Sequence, residues 1–337
     1  MSILKSLSRK FLFPAVLKTG LEKVPAYLTE NNFLVLNYHG VVKNYDDSLT
    51  RNHLSVEQFE DHLKYFQTHF DVLPLQEIFK FKNHPVQRSR KSISITFDDG
   101  YLNNYTNAYP LLKSYNFPAT IFVSAQAITN PRDALWYDVL DLLHSRIKYK
   151  GIKDKLGQSS LGKDIADFID YADFKKYLKT KNNLYRQNLI SLLLNDDKLL
   201  QMVYESNSEY WKLMGHAEVK ELAQSALITI GSHSVTHSNL DVLSNEELNF
   251  ELSESKKILE EASGHPVNSI AFPDGAYNEN VKKCCLENNY TMMLAVDFRT
   301  PTDQHDPFIL PRLSISNTTT AESVMIQANI SFRKYGF

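Results

Sequence analysis

Apolar runs of strand length punctuate this chain, and each stops on a polar residue before helical spacing begins. Phe33-Leu34-Val35-Leu36-Asn37-Tyr38 runs into His39-Gly40, and Ile93-Ser94-Ile95-Thr96-Phe97 runs into Asp98-Asp99-Gly100. Residues 119–123 are apolar or β-branched throughout, 227–230 lead to Gly231-Ser232-His233, and 269–272 lead to Pro273-Asp274-Gly275. Residues 291–296 and 308–310 complete the series, the last just ahead of Arg312. Strands with no polar face are those covered on both faces. Their alternation with helices implies a parallel α/β sheet with right-handed crossovers. In such a sheet the C-terminal strand ends share one edge, where sites are built. His39, Asp98, Asp99, His233, Asp274 and Arg312 are therefore expected on one edge.

The helices announce themselves. Capping boxes at Ser55-Val56-Glu57-Gln58 and Ser244-Asn245-Glu246-Glu247 open two of them, the first with Phe59, Leu63 and Phe66 on one face. Others are expected over about 75–81, 278–288 and 321–329, and over 101–115 with Pro110 kinking or splitting it. From Trp136 to Trp211 the strand patterns vanish and Lys, Asp, Leu and Tyr recur at helical spacing. With no Gly/Pro linker to mark it off, this reads as a helical insertion in an α/β domain spanning 33–337. Residues 1–32 read as an N-terminal helical segment.

Charge and length narrow the function. A net charge of -2 offers no basic field for nucleic acid, and no glycine-rich phosphate loop follows any strand. The only two cysteines, Cys284 and Cys285, are adjacent and suggest a reducing compartment. The segment Phe11-Leu12-Phe13-Pro14-Ala15-Val16-Leu17 is short, carries a proline and lacks a small-residue cleavage site, so it does not fit a signal peptide. The expected location is cytoplasmic. Ile3, Leu4, Leu7, Phe11 and Leu12 with Lys5, Arg9 and Lys10 read as a helix packed on the domain, or as a basic amphipathic segment making peripheral contact with the inner membrane face.

His233 and His237 are four apart, a spacing that aims two imidazoles at one point. With one carboxylate from Asp99 they make a two-His, one-carboxylate set with open positions, suited to zinc hydrolysis or to iron oxygen chemistry. Neighbouring strand residues point oppositely, so Asp98 stays free to take a proton from water as a general base. His39, at another strand end, is the candidate proton donor to a leaving group.

Thr96-Phe97-Asp98-Asp99-Gly100 followed by His233-Ser234-x-x-His237 resembles the polysaccharide deacetylase family (carbohydrate esterase family 4, the NodB-homology domain). The resemblance runs from about residue 34 to 313. It implies a distorted (β/α)7 barrel and metal-dependent removal of acetyl from an acetamido sugar. Asp98 would be the base, and Asp99, His233 and His237 the ligands of Zn²⁺, or of another divalent transition metal such as Co²⁺ or Ni²⁺. The oxyanion would be held by the metal and by a backbone N–H of Phe272-Pro273-Asp274-Gly275. Two departures stand out: Ala271 and Asp274 replace the arginine and tyrosine usual in that third motif, and Leu310-Pro311-Arg312 lacks the usual late histidine. The chain is similar instead to the circularly permuted branch, whose acid histidine sits in an early Tyr-His motif matching Tyr38-His39, which sets Tyr38 with Pro273, Asp274, Gly275 and Arg312 among the groups expected at the substrate or oxyanion. Arg312 is the candidate replacement for the missing arginine beside Asp98.

The leading expectation is an N-deacetylase of an N-acetylated saccharide. The alternatives are a deformylase or deacetylase of a lipid-linked sugar at the cytoplasmic membrane face, and a barrel that binds glycan without turnover. Trp136-Tyr137 is expected to pack within the insertion, with stacking on a sugar ring as the alternative, and Lys175, Lys176, Lys179 and Lys181 to form a solvated helix face.

Overall fold

The computed structural model describes residues 33–325 apart from 51, 85–89, 131–133, 158, 160, 162–167 and 206–207. The 1–32 segment, with its amphipathic reading, and residues 326–329 of the last expected helix lie outside the described residues; 321–325 are helical.

Nine strands make the main sheet: β1 (Phe33–Tyr38), β2 (Phe70–Val72), β3 (Lys91–Phe97), β4 (Ala119–Val123), β5 (Ile228–Ser232), β6 (Ser269–Ala271), β7 (Met292–Ala295), β8 (Ile309–Pro311) and β9 (Leu313–Ser314). Every pairing is parallel, in the order β8-β7-β6-β5-β4-β3-β1-β9, with β2 beside the first residues of β3. Closure rests on one short segment. Residues 309–311 pair with β7 and residues 313–314 with β1, so Arg312 sits on the seam of a nearly closed, distorted (β/α)7 barrel. The parallel α/β sheet expected from the strand–helix alternation and the distorted barrel implied by the family resemblance are both observed.

Side-chain alternation divides the core. Val35, Phe122, Ala271, Leu294 and Leu310 cluster together with Leu75, Ile78 and Phe79. The opposite strand positions, Leu34, Leu36, Ile93, Ile95 and Phe97, pack with Phe59, Leu63 and Phe66 of α1 (Val56–His69). Burying each such side chain stabilises by about 1.5–3 kcal/mol. Gly231 is required by close approach: a Cβ there would lie 2.5 Å from the Phe122 ring.

After α2 (Leu75–Asn83), Pro110 has the expected effect. A π-helical turn (Asn104–Ala108) runs directly into α3 (Tyr109–Tyr115), with Pro110 just past the junction, so the helix changes its winding where the proline ring and missing N–H interrupt it. The insertion is helical: α4 (Trp136–Leu156), α5 (Tyr171–Lys179), α6 (Asn183–Leu194) and α7 (Asp197–Tyr204), packed around their own cluster of Leu140, Leu143, Phe174, Leu178, Leu189 and Leu193. Beyond it come α8 (His216–Ala223), α9 (Asn245–Ser263) and α10 (Glu279–Glu287), and both predicted capping boxes are formed.

Candidate metal centre and catalytic cleft

Because all the strands are parallel, their C-terminal ends deliver the predicted residues to one place. His39 follows β1, Asp98 and Asp99 follow β3, His233 follows β5, and Phe272–Gly275 follow β6. His39, Asp98, His233, Phe272, Asp274 and Gly275 line one cleft of about 350 Å³, together with His237, whereas Asp99, Pro273 and Arg312 are buried and do not line it.

The aspartate pair splits as strand geometry requires, and the backbone adds to it. Asp99 has φ 75 and Gly100 φ 82, both left-handed, so the chain turns sharply as it leaves β3. Asp98 faces Arg312 in a two-pronged pair, with Nη1 donating to Oδ1 at 2.6 Å and Nη2 to Oδ2 at 2.7 Å. Both side chains are buried. Burial pushes the Asp98 carboxyl up, but Arg312, with His233 and His39 nearby, outweighs it and holds the group below the usual carboxylate range. The seam position of Arg312 thus supplies the guanidinium that the third motif lacks.

Asp99 faces the histidines. His233 Nε2 lies 3.4 Å and His237 Nε2 3.3 Å from Asp99 Oδ1, yet neither contact is aligned as a hydrogen bond, and both Asp99 oxygens are buried without a partner among the described residues. Two donors bound to one tetrahedral ion stand about 3.3–3.4 Å apart when each bond is about 2.0–2.1 Å. The donor set therefore fits a divalent ion. His233 Nδ1 donates to the Ala271 carbonyl at 2.8 Å, which leaves its Nε2 bare as a ligand must be. Burial raises the Asp99 carboxyl, but the two facing imidazoles pull it well below the ordinary range.

The loop that carries the histidines is strained. Ser234 (φ 64), His237 (φ 53), Asp99 and, in the third motif, Asp274 (φ 54) are four of the seven non-glycine residues with left-handed backbone among the described residues. Concentration of such residues at one site marks it as functional. In the third motif Pro273 has no N–H and Gly275 N–H donates to Phe272 O, which leaves the Asp274 N–H without a backbone acceptor among the described residues. The Asp274 carboxylate accepts from Lys179 at 2.5 Å; burial raises it, and His237 and Lys179 bring it below the usual range.

Tyr38 requires a correction. Expected among the groups touching substrate or oxyanion, its side chain is wholly buried, with its hydroxyl 2.9 Å from His62 Nδ1 and its ring packed on Phe59 and Phe97. Strand alternation sends Tyr38 outward to α1 and leaves His39 to the cleft. The lysine run is corrected in part: Lys175 and Lys179, one helical turn apart on α5, line the cleft, paired with Asp141 and Asp274. Lys176 faces solvent, and Lys181 lies over the Tyr177 and Tyr185 rings. Trp136 packs in the insertion as expected, but the Tyr137 ring meets His237 edge-on at 4.9 Å. Asp138 beside it accepts from the Tyr101 hydroxyl at 3.0 Å. Burial first, then the charges of Asp99 and Asp141, push the Asp138 carboxyl well above the carboxylate range.

A family model for polysaccharide deacetylases matches residues 86–152 and 188–293, just over half of the chain. The chain belongs to the polysaccharide deacetylase family. The matched stretches contain Asp98, Asp99, His233, His237 and Asp274, the unmatched 153–187 falls inside the insertion, and His39 and Arg312 lie outside both. A Staphylococcus aureus (strain MRSA252) relative, named poly-beta-1,6-N-acetyl-D-glucosamine N-deacetylase, is 29% identical over 202 residues, 50% of this chain and 68% of that one. The Streptococcus pyogenes deacetylase PplD, solved with acetate, shares the fold with a TM-score of 0.58 at 17% identity, over 89% of this chain and 99% of that one. IcaB from Ammonifex degensii does so with a TM-score of 0.54 at 16% identity, over 89% and 98%. As a polysaccharide deacetylase the chain is a carbohydrate hydrolase, and the distorted barrel is that of its family.

Proposed function

We propose that this deacetylase removes acetyl groups from the N-acetylglucosamine residues of a β-1,6-linked polymer, using a divalent metal. The observation that carries the metal reading is the convergence of Asp99, His233 and His237 on one point, with Asp98 and His39 in the same cleft. The polymer reading draws on the staphylococcal relative's name.

An ion held by Asp99, His233 and His237 supplies Lewis acidity, easing ionisation of water and polarising the acetyl carbonyl. Asp98 takes the proton from the attacking water; Arg312 keeps it ionised through the neutral range and fixes its plane. The Asp274 N–H donates to the oxygen that gains charge. His39, on the strand paired with that of Asp98, returns a proton to the departing sugar amine, and acetate leaves. Tyr137, Asp138, Lys175 and Lys179 form the wall against which the sugar lies.

The test is acetate release from β-1,6- and β-1,4-linked N-acetylglucosamine oligomers by zinc-loaded protein. Asp98→Asn should lose about 10²–10⁴ in rate while taking up zinc as before. Wild-type turnover by Asp98→Asn would overturn the base assignment, and preference for the β-1,4 series would overturn the linkage.

A further inference from the structure

His237 reaches the proposed metal centre from a left-handed backbone conformation that strains a non-glycine residue, and Ser234 in the same loop shares it. Bonds around the loop must hold that strain. Ser232 Oγ accepts from Ser234 N–H at 3.2 Å, and Ser234 Oγ accepts from His237 N–H at 3.1 Å. Glu251 of α9 does more. One of its oxygens accepts from Val235 N–H at 2.7 Å and Thr236 N–H at 3.0 Å, and the other accepts from the Thr236 hydroxyl. Glu251 is only 4% exposed, and a buried carboxylate needs a compensating charge.

That charge comes from the insertion. Arg186 of α6, 1% exposed, donates through Nη2 to Ser238 Oγ, and Ser238 Oγ lies 2.7 Å from Thr236 Oγ1. The carboxylate can only accept, so the Thr236 hydroxyl must donate to Glu251 and the Ser238 hydroxyl to Thr236. The polarity runs one way, from guanidinium through two hydroxyls to carboxylate, with the His237 backbone between the hydroxyl-bearing residues. Burial pulls the Arg186 guanidinium down to about 10, with Glu251 and Asp274 opposing, and it remains a cation at neutral pH.

Arg186 is a costly choice for mere packing. Its Nε and Nη1 are buried without an acceptor among the described residues, and its Cζ rests 5.2 Å from the Trp136 ring centroid. An apolar side chain would fill the same space between α6 and the barrel at lower desolvation cost.

We propose that Arg186 is a positioning residue for the metal centre: through Ser238, Thr236 and Glu251 it holds the 233–238 loop so that His237 Nε2 faces Asp99. The helical insertion, and not the barrel alone, then sets the affinity of the site. This inference rests on the reading that Asp99, His233 and His237 hold a divalent ion.

The experiment is a zinc titration of the full-length, metal-stripped protein against a competing chromophoric chelator, in wild type, Arg186→Met, Arg186→Lys, Ser238→Ala and the Arg186→Met/Ser238→Ala double variant. Loss of a group that orients a metal ligand weakens binding about 10–100-fold, and that is the expected result for Arg186→Met and for Ser238→Ala. The double variant should be no weaker than the worse single one, because both cut the same chain. Arg186→Lys, which keeps a charged donor, should restore most of the affinity. Ser238→Ala leaves the contact between insertion and barrel filled, so it decides the matter even if Arg186→Met fails to fold. Wild-type affinity in Ser238→Ala overturns this inference alone. A wild-type protein that takes up no zinc overturns the metal reading and this inference with it.

Discussion

Arg312→Met is the sharpest probe of the cleft, because it removes one half of a buried ion pair and leaves the other in place. In the native protein both Asp98 oxygens accept from the guanidinium, and the Arg312 side chain is wholly buried. The sign follows from the folded carboxyl lying below its ordinary value. Ionised Asp98 therefore adds stability at pH values above the ordinary carboxylate range, and that stability is lost as pH falls through the lowered folded value. Without Arg312 only His233 and His39 oppose the effect of burial, and the folded carboxyl moves up. Loss of an arginine partner shifts a carboxyl up by about 1–3 pH units. Breaking a buried pair costs about 3–5 kcal/mol while the remaining group stays charged. At about 2 °C per kcal/mol for a chain of this size, melting should fall by about 6–10 °C near neutral pH. The deficit should shrink toward about pH 4–5, where protonated Asp98 no longer needs a partner. Acetate release by the zinc-loaded variant should show the acid limb of kcat/KM displaced upward by about 1–3 pH units. Melting scans at several pH values and initial rates across the same range check both halves. An unmoved acid limb, together with a melting deficit that is the same at acid and neutral pH, would refute the assignment of Arg312 as the group that keeps Asp98 ionised.

Two further outcomes concern stability. Asp303, buried beneath α10, accepts from Lys282 Nζ and the Tyr277 hydroxyl at 2.7 Å and from Thr300 N–H at 2.8 Å. Burial raises its carboxyl but these bonds lower it to about 2, so it contributes about 2 kcal/mol above pH ~4 that is lost as pH falls toward ~2. Asp303→Asn should melt lower than wild type at neutral pH, and the gap should close on acidification below about pH 4; a constant gap in differential scanning fluorimetry counts against it. Gly100→Ala places a Cβ 2.9 Å from Val123 Cγ1 at φ 82. It should lose at least about 1 kcal/mol and bind zinc more weakly, because Asp99 must shift with it; unchanged melting and zinc affinity would contradict the strain argument.

Much of the site was legible because its residues mark the ends of strands. The capping boxes at Ser55 and Ser244, the split at Pro110 and the stops at His39, Asp98 and His233 are local signals, written within a few residues of one another. The cleft wall was not legible in that way. Lys179 meets Asp274 across a sequence separation of 95. The i, i+4 spacing of Lys175 and Lys179 placed both on one face but did not say which face looks inward. Tyr38 was misjudged because a motif names neighbours, whereas strand alternation sends neighbours to opposite sides. Glu251 and Arg186 carry no motif, and only their burial marks them.

By itself, the order of residues determined the parallel α/β class, the edge that bears the chemistry and the three side chains, Asp99, His233 and His237, that converge there, because backbone periodicity and strand-end chemistry are properties of short stretches. The tertiary structure alone decided that residues 309–314 close the barrel with Arg312 against Asp98, and that helices of the insertion brace the histidine loop. Those pairings join residues more than 50 and up to 214 positions apart. They hold because the mutual attraction of charges and donors buried together offsets what each loses on leaving water, which no local pattern encodes.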